Sequence, residues 1–141
     1  MVFCVLALGS NIGNKAENIS KAYTELINFG IEIVSKSSLY NNPAYGYENQ
    51  EDFVNSVILA KTDYYPEELL GIIKVIEKKL GRLKTFRWGP RIIDIDIIFY
   101  DNIRYNSEKL IIPHRDYKNR DFVLKPLEEI KKDLKMYNII F

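Results

Sequence analysis

IIDIDIIFY, residues 92–100, predicts a β-strand, because its apolar and acidic residues alternate with the two-residue period of an extended chain. This period places Asp94 and Asp96 on one face, roughly 6 to 7 Å apart along the backbone. The opposite face carries Ile93, Ile95, Ile97 and Phe99. Two like charges on an otherwise apolar strand repel each other and are poorly solvated, so the pattern favours a cation between them.

The residues around this acidic pair decide what kind of cation site to expect. Oxygen ligands without cysteine or histidine beside them favour Mg²⁺ or another hard cation over zinc. A bare D-x-D pattern is more often two solvated side chains on an exposed face. However, residues 74–91 hold seven Lys and Arg against Glu77 alone, a local charge of +6. Such a segment suits a polyphosphate bound with Mg²⁺, although Lys78 and Lys79 fit ordinary exposed helix positions better.

The segments before this strand show strand and helix patterns in turn. Apolar or alternating runs predict strands over residues 2–8, 31–40 and 53–60. The run over residues 2–8 is apolar without alternation, which suits a central strand covered on both faces. Apolar residues at helical spacing predict helices over residues 14–30 and 66–81, each ending at a glycine. The order strand, helix, strand, strand, helix, strand predicts an α+β fold of the split βαβ type, with a mainly antiparallel sheet and helices packed on one face.

The remaining segments are loops or short elements. Residues 41–52 form a polar, aromatic loop of the kind that often carries function. Asp101-Asn102 predicts a tight turn that returns the chain as a hairpin over residues 103–105. A short helix is expected around residues 121–125, interrupted by Pro126, and residues 131–141 fit no single pattern.

Composition limits the class of protein. The chain has 141 residues with 47% hydrophobic and 28% charged, which predicts one globular domain over residues 1–141. Its net charge of +1 gives no general attraction to nucleic acid or anionic membranes. The single cysteine, Cys4, cannot form an internal disulfide, and no apolar run is long enough to span a bilayer. We expect a cytoplasmic protein.

Three further residues stand out from their surroundings. Asn55 lies on an apolar face of its strand, where a polar side chain needs a reason. Trp88 lies in the basic loop, where its ring suits stacking on a nucleobase, closing a pocket or anchoring the loop to the core. His114, the only histidine, suits a phosphate contact or a structural role about equally. None of the common phosphate-binding loops or nucleophile motifs is present in the sequence.

Four blocks of the sequence together resemble a known enzyme family. They are LALGSNIGN (6–14), YNNPAYGYENQEDFVN (40–55), GRLKTFRWGPRIIDIDIIFYDN (81–102) and PHRDYKNRDFVLKPLEEI (113–130). In this order they resemble the 6-hydroxymethyl-7,8-dihydropterin pyrophosphokinases of folate biosynthesis and cover nearly the whole chain. The resemblance implies a ferredoxin-like fold and transfer of pyrophosphate from ATP to a pterin hydroxymethyl group, with two Mg²⁺ ions.

The resemblance also implies roles for residues on the nucleotide side. Asp94 and Asp96 would hold the two Mg²⁺ ions, and Arg82 and Arg91 would stabilise charge on the transferring group. The residues that match ATP contacts are Glu77, Lys84, Arg87, Trp88, Ile97, His114 and Arg120. Lys84, Arg87 and Trp88 belong to a loop that closes over ATP in the family. No general base is evident, so we expect metal coordination to lower the pKa of the pterin hydroxyl.

On the pterin side the resemblance implies a stacking pocket. Phe53 and Phe122 would sandwich the flat ring, and Asn55 would bond its edge. Backbone groups of Asn42, Pro43 and Tyr45 would complete the pocket. The expected partners are therefore ATP and the pterin, with no nucleic acid and no membrane, and the expected state is a monomer.

This sequence departs from the family pattern at several positions. Phe53 stands where tyrosine is common, Arg115 replaces an aromatic residue, and Lys74 replaces a glutamine. The C-terminal element is also expected to be shorter. Two other classes fit part of the pattern: a ferredoxin-like RNA-binding module, which lacks its usual aromatic motifs here, and a Mg²⁺-dependent nucleotidyl transferase or phosphohydrolase, which leaves Asn55 unexplained.

Overall fold

A computed structural model describes residues 1–43, 51–81 and 91–141. The strands are β1 (Val2–Ser10), β2 (Glu32–Lys36), β3 (Tyr40–Asn42), β4 (Phe53–Thr62), β5 (Asp94–Tyr100), β6 (Tyr105–Asn106) and β7 (Ile111–Ile112). The helices are α1 (Lys15–Asn28), α2 (Pro66–Lys79), α3 (Asp121–Glu129) and α4 (Lys131–Met136), and a 3₁₀ turn covers Tyr117–Asn119. None of the described helices has the length and apolar character needed to cross a membrane.

One antiparallel sheet organises the molecule. Its strand order is β2-β4-β1-β5, and β3 also pairs with β4. This is the split βαβ order, so the predicted α+β, ferredoxin-like fold is confirmed. β1 lies between two partners because its residues from Cys4 to Ser10 are all buried, as the unbroken apolar run predicts.

Helices cover both faces of this sheet, so the prediction that they pack on one face is wrong. Leu6 and Leu8 point to a core shared with α1 and α2. Val5 and Ala7 point to a second core shared with α3 and α4. Since β1 is apolar on both faces, each face needs a cover, and α3 and α4 supply the second one. Cys4 is fully buried in the first core, and burial raises the pKa of its thiol to about 12.

The prediction that Pro126 interrupts the last helix is also wrong. α3 continues through Pro126 to Glu129, and α4 follows directly, within residues 131–141, which fit no single pattern in the sequence. A proline inside a helix costs a backbone hydrogen bond. Pro126 is buried beside Val123 and Leu127 on the face that packs against the sheet. This apolar burial offsets the lost bond.

The predicted strand over residues 31–40 is divided into β2 and β3. The two are separated at Ser37, whose backbone N–H donates to the Val57 carbonyl while its hydroxyl accepts from the Val57 N–H, both at 2.9 Å. A side-chain oxygen thus replaces one backbone acceptor of the ladder. Pairing resumes at Tyr40, so residues 40–42 are strand, where part of the loop over 41–52 was expected.

The predicted hairpin after β5 does not form. Asp101 turns with a positive φ of 51°, but β6 pairs with β7 and not with β5. The short β6–β7 hairpin closes through the Ser107 N–H, which donates to the Leu110 carbonyl at 2.9 Å. The turn at Asp101 is therefore as predicted, but the strand that pairs with β6 is β7 and not β5.

A bulge in β5 changes the predicted face of Phe99. Leu6 pairs with Ile97 and Val5 pairs with Phe99, so Ile98 is an extra residue in the ladder. Phe99 consequently packs in the second core, whereas Ile97 packs in the first. Asp94 and Asp96 precede the bulge and keep the alternation that the sequence predicts.

We predict that the second core is needed for stability. Leu127→Ala removes a fully buried side chain of α3, and the loss should be about 2 to 5 kcal/mol in the free energy of unfolding. Val75→Ala on α2, at 50% exposure, is the control and should change it by less than about 0.5 kcal/mol. Urea unfolding followed by circular dichroism measures both. Equal, small effects would contradict the two-core arrangement.

Candidate active site

A cavity of about 280 Å³ opens where four elements of the sheet and α3 meet. Antiparallel pairing brings the end of β1 beside the starts of β4 and β5, because Gly9 lies opposite Asn55 on one side and Asp94 on the other. The N-terminal end of α3 closes the cavity. Its lining residues are Gly9, Asn42, Phe53, Asn55, Arg91, Asp94, Asp96, His114, Arg120 and Phe122.

Gly9 lies against the functional side chains of β4. A Cβ atom at this position would come 2.6 Å from Asn55 Nδ2 and 3.4 Å from Phe53 Cδ1. Only glycine allows this approach without moving the Asn55 amide. Sequence reasoning did not assign Gly9 to the site, although the Gly-Ser-Asn sequence directly after an apolar strand was visible.

Two residues that line this cavity carry a side-chain oxygen that is buried and has no partner among the described residues. These oxygens are Asn42 Oδ1 and Asn55 Oδ1. The amide nitrogens face other groups, since Asn55 Nδ2 donates to the Leu8 carbonyl at 3.4 Å and Asn42 Nδ2 donates to the Pro43 carbonyl at 3.1 Å. Buried acceptors are costly when unpaired. The cavity is therefore suited to a ligand edge that carries N–H donors.

Aromatic side chains provide the apolar part of the cavity. Phe53 on β4 and Phe122 on α3 both line it, as the sequence predicts. Phe122 also faces Arg120, whose guanidinium carbon lies 5.6 Å from the ring centroid. Asn55 is buried and lines the cavity, so the polar residue on an apolar strand face lies at the site. Pro43 is exposed and does not line the cavity.

Asp94 and Asp96 line the same cavity and are both half-buried. Arg120 lies beside them, with Nη1 at 3.9 Å from Asp96 Oδ2 and Nη2 at 3.8 Å from Asp116 Oδ2. Across the described ranges no group of three or more His, Cys, Asp or Glu could hold a metal. Two carboxylates fit Mg²⁺, which takes one or two from a protein and completes its shell with phosphate and water.

His114 is held as a neutral imidazole. Its Nδ1 accepts from the Asp116 N–H at 3.1 Å, and its backbone N–H donates to the Ile98 carbonyl at 3.0 Å. Burial, and after it the Arg120 charge, lowers the pKa of the imidazole below 6.5. At neutral pH the proton therefore resides on Nε2, which is available as a donor.

A second cavity of about 240 Å³ adjoins the first. Asp96 and His114 line both cavities, while Ile97 and Arg115 line only the second. The remaining lining residues are Leu70, Ile95, Glu108, Lys109, Leu110 and Ile111. This cavity has apolar walls and cationic side chains at its edge, as a nucleotide site requires.

Glu77 lines neither cavity. It is buried, and its Oε2 accepts from the Ile95 N–H at 2.8 Å. Its carboxylate thus contacts the backbone of β5 between the two aspartates. Among the described residues, Glu77 thus lies outside the two cavities that Ile97, His114 and Arg120 line.

Asn11 holds the backbone of Arg91, which lines the first cavity together with Arg120. Its Oδ1 accepts from the Arg91 N–H at 2.8 Å, and its N–H donates to the Arg91 carbonyl at 3.1 Å. Its Nδ2 donates to the Glu51 carbonyl at 3.2 Å. Sequence reasoning did not single out Asn11.

Arg91 lines the first cavity as predicted, whereas the predicted site residues Tyr45, Arg82, Lys84, Arg87 and Trp88 lie outside the described residues.

The fold and the site together define a class of protein: a ferredoxin-like enzyme that transfers phosphate groups to a flat acceptor. Residues 5–132 match the family model of 7,8-dihydro-6-hydroxymethylpterin-pyrophosphokinase, abbreviated HPPK. The chain belongs to this family. The predicted resemblance is thereby confirmed, and with it pyrophosphokinase activity in folate biosynthesis.

Relatives of similar length carry the same description. The chain is 43% identical over 134 residues to 2-amino-4-hydroxy-6-hydroxymethyldihydropteridine pyrophosphokinase of Aquifex aeolicus, covering 95% of this chain and 83% of that protein. It is 42% identical over 135 residues to the protein of the same description from Methylorubrum extorquens, covering 95% and 85%. The fold is similar to Plasmodium falciparum HPPK-DHPS with pteroate, with a TM-score of 0.70 and 19% identity over 91% of this chain and 38% of that one.

We predict that His114 titrates below its usual range. The chain has one histidine, so the imidazole resonances of the untagged protein can be assigned without ambiguity. The midpoint should fall below 6.5, and the neutral form should carry its proton on Nε2. Because the folded pKa is lower than the unfolded one, His114 should reduce stability as the pH falls below about 6.5.

Removal of the neighbouring charge gives the control for this titration. Arg120→Gln should raise the midpoint, since Arg120 is one cause of the lowered pKa. NMR over pH 4 to 8 measures both proteins. A wild-type midpoint at or above 6.5 would contradict the described burial of the imidazole.

Proposed function

We propose that the first cavity binds 6-hydroxymethyl-7,8-dihydropterin and the second binds ATP, and that pyrophosphate passes between them to give AMP and the pterin diphosphate. The observation that carries this proposal is the shared wall, because Asp96 and His114 line both cavities. Two residues common to both linings make the cavities neighbours, and a transfer reaction requires its two substrates to bind next to each other.

The chemistry of the first cavity supports a pterin. A pterin is a flat ring whose pyrimidine edge carries an amino group and a ring N–H. Phe53 and Phe122 offer ring faces, and aromatic stacking adds about 0.5 to 1.5 kcal/mol beyond burial. The unpaired oxygens of Asn42 and Asn55 offer acceptors for the two kinds of donor. For Asn42 this adds a side-chain contact to the backbone contact that the resemblance implies.

On the nucleotide side, Ile97 contributes an apolar wall and His114 contributes the Nε2 donor. Arg120 lines the first cavity and not the second, but its guanidinium lies beside Asp96, which lines both. We propose that it pairs from there with phosphate oxygens of ATP. Contacts from Lys84, Arg87 and Trp88 with ATP stay predictions from sequence. The ATP contact of Glu77 also stays a prediction, and its backbone bond to Ile95 supports a role in holding β5.

In the proposed reaction the pterin hydroxymethyl group loses its proton, which is released as H⁺, and its oxygen bonds to the β-phosphorus of ATP. The bond from that phosphorus to the oxygen bridging to the α-phosphate breaks, and AMP leaves with that oxygen. The protein positions the two substrates in line and excludes water. Arg91, fixed by Asn11, faces the cavity and stabilises charge that develops on the transferring group. Arg82 is proposed for the same role.

We further propose that Asp94 and Asp96 hold two Mg²⁺ ions with the help of ATP phosphates. When bound, these ions neutralise phosphate charge and lower the pKa of the pterin hydroxyl. The two half-buried carboxylates in one cavity support this proposal. Residues 1–141 are proposed to act as a single domain, and the expected monomeric state and cytoplasmic location stay predictions.

We predict that Asp96→Asn abolishes turnover with little effect on the fold. The variant removes a proposed metal ligand while keeping the side-chain shape, so AMP release should fall by at least about 100-fold. The ion pair with Arg120 is partly buried, with side chains 15% and 36% exposed, but it is long at 3.9 Å, and Arg120 keeps Asp116 at 3.8 Å, so the expected loss of stability is small. AMP release in excess Mg²⁺ and thermal unfolding in chelator measure the two effects. Substantial residual activity in both Asp94→Asn and Asp96→Asn would contradict the metal assignment.

We predict that Asn42→Ala weakens pterin binding selectively. Loss of one hydrogen bond should raise the pterin Kd by roughly three- to tenfold, while the Kd of a non-hydrolysable ATP analogue stays the same. Isothermal calorimetry measures both. Asn41→Ala is the matched control, because this neighbour on β3 is exposed and lines neither cavity. An equal loss of affinity for both ligands would show that Asn42 acts on the fold.

A further inference from the structure

Glu129 connects the end of α3 to the start of β3. Its carboxylate accepts from the Ser38 N–H at 3.0 and 2.9 Å, from the Ser38 hydroxyl at 3.0 Å and from the Tyr40 hydroxyl at 2.6 Å. These partners are about 90 residues apart in the sequence, with separations of 91 and 89. The contact is therefore a tertiary link between a helix and an edge strand.

The two linked elements both contribute side chains to the lining of the first cavity. Phe122 lies in the first turn of α3, and Asn42 lies two residues after Tyr40 on β3. In the sheet register, Tyr40 is opposite Asn55 and Asn42 is opposite Phe53. Hence the link at Glu129 acts on the same helix and strand that carry the stacking and hydrogen-bonding side chains.

The placement of Glu129 is unfavourable for an isolated helix. A carboxylate in the last turn meets the negative end of the helix dipole, which disfavours it. Charge-assisted bonds from three donors compensate, and they lower the pKa of Glu129, with the Tyr40 hydroxyl as the largest cause. The bonds from Ser38 and Tyr40 therefore hold the Glu129 carboxylate at a position that the helix dipole alone would disfavour.

We propose that Glu129 is a positioning residue that sets the gap between Phe122 and the β3–β4 wall of the pterin cavity. β3 has only three residues and lies at the sheet edge, so its ladder bonds alone fix it weakly. Ser35, which donates to Asp133 of α4 at 2.7 Å, holds β2 in a comparable way but lies farther from the cavity. This inference rests on the proposed pterin site.

The arrangement predicts an effect on one substrate only. The second cavity is built from α2, β5 and the β6–β7 region, none of which contacts Glu129 through the bonds described. Loosening the link should widen the first cavity and leave the second unchanged. The stacking contacts depend on ring separation, so pterin affinity should fall while ATP affinity stays the same.

The test compares Glu129→Gln with Glu128→Gln. Glu128 is the adjacent exposed glutamate, whose carboxylate lies 3.7 Å from Lys131 Nζ, and it serves as the matched control. For Glu129→Gln we expect the pterin KM to rise by roughly three- to tenfold, because the charge-assisted bonds are lost. The ATP KM, and kcat at saturating pterin, should stay within about twofold of wild type.

A second variant separates positioning from general stability. Tyr40→Phe removes one of the bonds to Glu129 and retains the ring. It should give a smaller rise in the pterin KM, and the double variant Tyr40→Phe/Glu129→Gln should be less than additive, since both changes break the same link. Steady-state assays are run well below the melting temperature of each variant.

The outcomes distinguish the inference from the function on which it rests. A lower melting temperature for Glu129→Gln with an unchanged pterin KM would show a purely structural role and overturn the inference. Equal increases in both KM values would overturn it as well. Failure of the wild-type protein to bind the pterin or to release AMP would instead refute the proposed function.

Discussion

The pairing of β1 with a strand on each side is the constraint on which the site depends. Gly9 near its end lies opposite Asn55 and Asp94, so one backbone position brings the acceptor amide of β4 and the acidic pair of β5 to the same edge. β1 can occupy this central place because both of its faces are apolar and buried. Loss of either pairing would separate the two halves of the cavity by a strand spacing.

The elements that the sequence predicts well are those with a strong local pattern. The alternation in β5 correctly placed Asp94 and Asp96 on one face, and the unbroken apolar run correctly placed β1 in the sheet centre. The errors arose where a tertiary partner overrides the local signal. Packing against the second core retains Pro126 within a helix. β6 pairs with β7, although pairing with β5 was expected. One extra residue, Ile98, turns Phe99 to the other face of the sheet.

The same distinction applies to the site. Asn55 could be identified because a polar residue on an apolar strand face is unusual, and the structure shows that it lines the cavity and that its buried oxygen has no partner among the described residues. Gly9 and Asn11 carry little information alone, since their roles depend on a close approach and on a bond to Arg91 across 80 residues. Glu129 resembles any exposed helical glutamate until its distant partners are known. Residues that support other residues are thus the hardest to find from sequence.

The burial of Cys4 makes this chain a convenient host for spectroscopic labels. Burial raises the pKa of its thiol, which disfavours the reactive thiolate at neutral pH, and the sulfur is shielded within the first core. A cysteine introduced on the surface would therefore react alone, without removal of the native one. Paired labels on β3 and on the exposed side of α3 would then report, in solution, the distance between the two walls of the cavity.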